Sequence, residues 1–366
     1  MKLFIVTSIA IFFLLNLIIF EILKQYFNTR ISAFICIFCF FCSSIFFLTL
    51  NLNFSSNFIE ILARKFSVFM MGANFLLFFF CLIFYILNLS LERVEFDPQR
   101  REILKNCINF GLIILFFSTL FKSFFNAIKT PKVKTTEIFI RDLKEQVSFC
   151  VISDLHIGNF IDKKFVHNLV NKILSEKFDA LLIVGDMFDI KAGDIGDLLD
   201  DFDRIEQPKF FVTGNHEYYR GALELINALE SRNFRVLQNE NEVFKNINLI
   251  GLNDIAAPQF GYEVNFKKAL KETLPGLPKI VLAHQPKFVR DYAEDDLADL
   301  FICGHTHAGQ IFPFSILAKI ANGYLYGLYK EKNRQIYVSS GAGFWGPPIR
   351  FLAPSEIAIL NLRRKI

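Results

Sequence analysis

Four apolar runs occupy the first 128 residues of this 366-residue chain, at about 3–20, 31–50, 66–89 and 108–125. Each is close to the roughly 20 residues a helix needs to cross a bilayer, so this part of the chain is expected to be dissolved in lipid. The 46 phenylalanines support that expectation, because most of the apolar excess falls before residue 129 while the histidines fall beyond 150. The first run is too long for a signal peptide, lacks a small-residue cleavage site and is followed at once by further runs, so it is read as a retained span. Lys122 interrupts the fourth near one end. A lysine there can snorkel to the headgroups, and an interfacial helix is the alternative. The expected organisation is a membrane region of about four transmembrane helices at 1–128, a linker at 129–146 and a soluble domain at 147–366.

Basic residues beside the spans nearly cancel between the two sides. Lys24, Arg30, Arg93, Arg100, Arg101 and Lys105 oppose Lys2, Arg64, Lys65, Lys129, Lys132 and Lys134. The stretch Arg100-Arg101-Glu102-Ile103-Leu104-Lys105 looks like a twin-arginine export motif before an internal anchor, with a plain basic cytosolic loop as the other reading. Both keep that loop inside, so a multi-pass protein of the inner (cytoplasmic) membrane is expected, with residues 129–366 on its outer face. The net charge of +4 is small and scattered, and no nucleic-acid partner is expected. Cys36, Cys39 and Cys42 lie three apart in an apolar run with no histidine or carboxylate beside them, which favours helix packing over metal binding.

Beyond about residue 147 the pattern becomes short apolar runs separated by amphipathic stretches. Strands are expected at 147–152, 180–184, 209–213, 248–252, 280–283, 300–303, 335–339 and 357–361, and helices at 163–177 and 193–205. Strand and helix in alternation imply an α/β domain whose ligand site lies beyond the carboxyl ends of buried strands.

The polar motifs sit at those ends. Asp154 and His156 follow the first strand, two residues apart and so pointing the same way in extended chain. Gly185-Asp186-Met187-Phe188-Asp189 follows the second, Gly214-Asn215-His216-Glu217 the third, Ala283-His284 another, and Gly304-His305-Thr306-His307 the next. Singly, each could be a helix cap or a hydrogen-bonded histidine. Together they crowd carboxylates and imidazoles into one crevice, which is costly unless cations occupy it. Seven ligating groups exceed one ion of about sixfold coordination that must also take water and substrate, so two ions sharing a carboxylate fit better.

The ordered set Asp154-x-His156, Gly185-Asp186-x-x-Asp189, Gly214-Asn215-His216-Glu217, His284 and Gly304-His305-x-His307 resembles the calcineurin-like metallophosphoesterase superfamily. Gly309-Gln310-Ile311, residues 324–329, Tyr337-Val338-Ser339-Ser340-Gly341 and Pro348-Ile349-Arg350 are similar to its membrane-bound bacterial subgroup. The resemblance implies a four-layer α/β/β/α sandwich and a hydrolase of phosphate esters such as phosphodiesters. It also implies a binuclear centre of divalent Mn, Fe or Zn. One ion would take Asp154, His156, Asp186 and His307, and the other Asp186, Asn215, His284 and His305. A hydroxide bridging them would attack phosphorus, and His216 would protonate the leaving oxygen with Glu217 or Asp189 orienting it.

The expected partners are the bilayer and a phosphate ester, with a lipid-linked phosphate or pyrophosphate favoured. The resemblance also reaches hydrolases of UDP-2,3-diacylglucosamine, which act on the cytoplasmic face. A non-catalytic membrane scaffold is the reading of another class. The apolar segments at 311–328 and 344–348 could line a groove facing lipid or be ordinary core and loop. His167, without a partner motif, is expected at the surface.

Overall fold

The computed structural model describes residues 2–49, 58–95, 97–158, 160–292, 298–331 and 334–365. They divide into two compact units, residues 1–125 with 346–349 and residues 126–345 with 350–366.

The first unit holds four helices: α1 (Lys2–Leu23), α2 (Thr29–Thr49), α3 (Phe58–Glu92) and α4 (Pro98–Ile128). All four are long and apolar enough to cross a membrane. Leucine, isoleucine and phenylalanine face outward along them, as at Leu14, Ile37, Ile86 and Phe117, while the small and polar residues turn inward. Cys36, Cys39 and Cys42 are buried on α2, and Asn74 Nδ2 on α3 donates to Ser43 Oγ on α2 at 3.3 Å. In lipid there is no hydrophobic drive between helices, so small side chains and such hydrogen bonds mediate their packing. Arg100 and Arg101 lie in the first turn of α4 rather than in a free loop.

The second unit begins with β1 (Lys132–Ile140), inside the stretch expected as a linker. It continues through β2 (Val147–Ile152), α5 (Lys163–Leu174), β3 (Ala180–Val184), β4 (Lys209–Val212), α6 (Asn215–Arg220), α7 (Ala222–Glu230), β5 (Phe234–Val236), β6 (Glu240–Phe244) and β7 (Ile247–Gly251). After these come α8 (Phe266–Leu270), β8 (Lys279–Leu282), α9 (Lys287–Tyr292), β9 (Leu300–Cys303), α10 (Phe314–Asn322), β10 (Gly327–Glu331), β11 (Arg334–Val338) and β12 (Glu356–Arg364).

Two six-stranded sheets result, ordered β1-β12-β2-β3-β4-β5 and β10-β11-β9-β8-β7-β6. In the first, β2, β3, β4 and β5 are mutually parallel, and in the second β7, β8, β9 and β11 are. Strand alternation assigns each side chain to a layer. Phe149, Leu182, Leu249, Ile280 and Ile302 fill the space between the sheets. Cys150, Ile183 and Phe211 pack under α5 and α7, while Val281, Phe301 and Ile336 pack on the outer side of the second sheet with Phe288 and Ala269. The architecture is the four-layer α/β/β/α sandwich.

The expected helix at 193–205 is not formed. Two 3₁₀ turns, Ala192–Asp194 and Asp200–Arg204, stand there instead. Gly193 and Gly196 disfavour a continuous helix, and Gly196 takes φ +51° between the turns.

Candidate metal centre

Parallel strands end side by side, so the loops after β2, β3 and β4 in one sheet and after β7, β8 and β9 in the other bring their residues to the same edge of the sandwich. Asp154, His156, Asp186, His305 and His307 all take φ between +49° and +70°. Left-handed backbone costs a residue with a Cβ about 1–3 kcal/mol, and a run of such residues is characteristic of a site where function opposes local preference. Two glycines allow the close approach. A Cβ on Gly214 would fall 2.2 Å from Asp186 Oδ1, and one on Gly304 2.6 Å from Asp154 Oδ2.

All the residues expected at the site reach this edge. Ligand atoms of Asp154, His156 and His307 lie within 4.8 Å of one another, as do those of Asp186, His284 and His305. His156, Asp186 and His216 form a third such group. His156 Nε2 is 3.0 Å from His307 Nε2, and His307 Nε2 is 3.5 Å from Asp154 Oδ1. The His305 amide donates to both Asp154 oxygens at 2.9 Å, and the His216 amide donates to Asp186 Oδ1 at 2.8 Å. Asn215 opens α6, and its buried Oδ1 has no hydrogen-bond partner among the described residues. His167 lies outside the cluster, exposed on α5 with Nδ1 2.9 Å from Asp201 Oδ1.

The donor set fits metal ions. His284 Nδ1 faces the carbonyl of Val184 at 2.8 Å, and a carbonyl can only accept, so Nδ1 carries a proton and Nε2 is the ring nitrogen left to meet a ligand. Nε2 lies 3.1 Å from Asp186 Oδ2 and is buried without a hydrogen-bond partner among the described residues. Burial opposes charge on His284, but Asp186 and Asp154 outweigh it and hold its pKa well above the ordinary value, so positive charge is required between the two atoms, whether a metal ion or a proton on Nε2.

Electrostatics tell the same story. Burial pushes the Asp154 carboxyl up, and Asp186 adds to the push. Burial also opposes charge on Asp186, but His284, His216 and His156 outweigh it and hold the carboxylate well below its ordinary range. Burial and His284 together lower His305 to about 3, and burial with His156 and Arg350 lowers His307, so both imidazoles are neutral and available as ligands.

Around these groups lies a supporting layer. Asp189 Oδ1 accepts from His216 Nδ1 at 2.5 Å and lies 3.3 Å from His156 Nδ1. Glu217 does not orient His216. Its carboxylate accepts from the amides of Asp186, Met187, Phe188 and Gly214. Arg350 is fully buried, donates to the carbonyls of Gly343, Ser340 and Pro354, and brings Nη2 to 3.3 Å from His307 Nδ1. Asp254, absent from the sequence-derived set, is buried after β7, where its Oδ1 accepts from Gln285 Nε2 at 2.9 Å. Burial raises its carboxyl to about 6, against the pull of His284. Its signal was available: it follows a central parallel strand, as the other site residues do. Tyr219 and Trp345, both exposed, place their rings 5.3 and 5.9 Å from that of His216.

A buried cluster of carboxylates and imidazoles stands at the joint edge of a two-sheet sandwich, and with the family match it makes the chain a metal-dependent phosphoester hydrolase. The calcineurin-like phosphoesterase family model matches residues 147–309. A Helicobacter pylori (strain ATCC 700392 / 26695) protein described as a metallophosphoesterase is 39% identical over 296 residues, 80% of each chain. A Danio rerio transmembrane protein with metallophosphoesterase domain is 31% identical over 258 residues, 65% of this chain and 59% of that one. The UDP-2,3-diacylglucosamine pyrophosphatase LpxG of Chlamydia trachomatis is 32% identical over 150 residues, 37% of this chain and 44% of that one. The chain belongs to the calcineurin-like metallophosphoesterases, and it is a membrane protein.

Proposed function

We propose that the chain hydrolyses a lipid-linked phosphate ester or pyrophosphate. One divalent ion would be held by Asp154, His156, Asp186 and His307, and a second by Asp186, Asn215, His284 and His305. The observation that carries this reading is the opposition of His284 Nε2 and Asp186 Oδ2 at 3.1 Å, with Nδ1 already committed to Val184. Two ions, when bound, supply positive charge to phosphoryl oxygens and acidify water. Asp186 would serve both ion positions, and the His216 amide holds its Oδ1 in place. His216, its Nδ1 held by Asp189, keeps its other ring nitrogen for the leaving-group oxygen, to which it gives a proton. Tyr219 and Trp345 flank that histidine and contact the part of the substrate beyond the phosphate.

Lipid linkage is supported by the chain itself, since α4 ends at Ile128 and β1 begins at Lys132, which tethers the catalytic unit close to a bilayer. The full-length chain in mixed micelles should hydrolyse lipid-linked phosphates or pyrophosphates with higher kcat/KM than bis(p-nitrophenyl) phosphate or free nucleotides. Equal or better turnover of the soluble esters would sink the lipid linkage.

The likeness to LpxG favours a second reading, cleavage of the pyrophosphate of UDP-2,3-diacylglucosamine on the cytoplasmic side. The first reading puts the catalytic unit on the outer face of the inner membrane, because the basic residues Arg93, Arg100, Arg101 and Lys105 favour retention of the α3–α4 turn and the start of α4 inside. A reporter active only outside the cytoplasm, fused after Ile366, should be active. A silent external reporter beside an active cytosolic one would put the site inside and favour the second reading.

A further inference from the structure

Helix α10 is built inside out. Ile316, Leu317 and Ile320 lie on one side of it and are exposed at 54%, 58% and 69%, while the opposite side carries Ser315, Ala318 and Asn322, which are half-buried or buried. A helix packed on a protein core for its own stability shows the reverse arrangement. The orientation is imposed from both ends. A Cβ on Gly309 would fall 2.2 Å from Ser315 Cα, so the loop behind His307 presses on the first turn. At the last turn Arg290 Nη1 donates to the carbonyls of Ile320 and Ala321 at 3.2 and 2.9 Å. Phe312 and Leu352, both exposed, add apolar surface near the start of α10, where the Phe312 amide donates to the carbonyl of Phe351 at 3.1 Å. A contiguous apolar surface of this kind marks a binding face.

We propose that this face of α10 inserts into the interfacial zone of a lipid bilayer. The bilayer is the occupant because the chain carries its own: the last apolar helix ends at Ile128 and the first strand begins at Lys132, so the effective concentration of a membrane surface at this unit is high. The helix composition fits. Its one ionisable residue is Lys319, which suits a headgroup layer, and it has no carboxylate to repel anionic lipid.

The docked helix is also wired to the catalytic edge. Gln310 Nε2 donates to the Trp345 carbonyl at 2.7 Å and Gln310 Oε1 accepts from the Trp345 amide at 3.0 Å, so the segment leading into α10 carries the ring that stands beside His216. That link to the site rests on the phosphoesterase reading. The docking does not.

Trp345 is the chain's one tryptophan, which makes the test spectroscopic. The full-length chain carrying Trp345→Phe with Leu317→Trp, and separately with Ile320→Trp, is placed in nanodiscs with ordinary or brominated acyl chains. Both added rings stand on the exposed side, so neither disturbs the buried one. The expected result is emission shifted to the blue and quenched several-fold by brominated lipid at both positions, as for a face lying at the headgroup–acyl boundary. Lys172→Trp on the exposed face of α5, in the same background, should stay red-shifted and unquenched. Red, unquenched emission at 317 and 320 overturns the proposal. So does a blue shift that ignores bromine and appears only with two chains per disc, because a second copy then covers the face. Neither outcome touches the phosphoesterase reading, since activity is not the readout.

Discussion

At His284 one hydrogen bond decides how the ring is used. The Val184 carbonyl accepts a hydrogen bond from Nδ1–H, which leaves Nε2, 3.1 Å from Asp186, as the nitrogen a ligand can meet. Sequence reasoning found both residues because each follows a buried strand, yet it could not assign the tautomer, which depends on a carbonyl 100 residues away. It also left two partners open for His216. The structure selects Asp189 and commits Glu217 to four backbone amides. Asp254 follows a central parallel strand as the other site residues do, but no histidine stands beside it in sequence, and its burial near His284 and Gln285 is what marks it. The His216 role can be tested directly. His216→Gln should lower kcat by roughly 10²–10⁴-fold, the usual effect of losing a general acid, while metal content measured on the purified chain stays unchanged. Because His216 also lies within ligand distance of His156 and Asp186, metal loss in that variant would make it a ligand instead.

Elements buried on both faces were the legible ones. β2, β3 and β9 read as short apolar runs and form where expected, since a central strand in a two-sheet sandwich has no solvent face. β1, β5, β6 and β10 were missed, and all four are edge strands: β5 has only three residues, while β1, β6 and β10 are largely exposed or half-exposed and interrupt their apolar residues with lysine, glutamate or asparagine. β1 is held by pairing with β12, from Lys132 opposite Glu356 to Ile140 opposite Arg364, a partner more than 200 residues away that no local pattern announces. The failed helix at 193–205 has a local cause in its glycines and clustered aspartates. Glu217 shows how short elements serve the site. From the first turn of α6 its carboxylate ties the loop after β3 to the loop after β4, even though burial and the Asp186 charge push it up to about 7.

Across the whole molecule, two solvents divide the chain. The membrane helices turn serine, asparagine and cysteine inward, and the catalytic sandwich turns valine, leucine and isoleucine inward, so the division was visible in composition before any element was placed. Chemistry became visible only through conjunction. No single motif distinguishes a ligand from a cap, but parallel strand order in two facing sheets brings six loop ends to one edge, and there buried carboxylates and imidazoles meet in groups that could hold metal ions. Asp186 is central to that account, because it faces His284 and His156 at once and is proposed to serve both ions. The most direct test is therefore metal content and turnover of the full-length chain with Asp186→Asn, measured on the same preparation with its melting temperature as a check on folding. The account predicts two transition-metal ions per chain in the native protein, and loss of bound metal together with phosphodiester turnover in the variant. A folded variant that keeps both ions and normal turnover would contradict it.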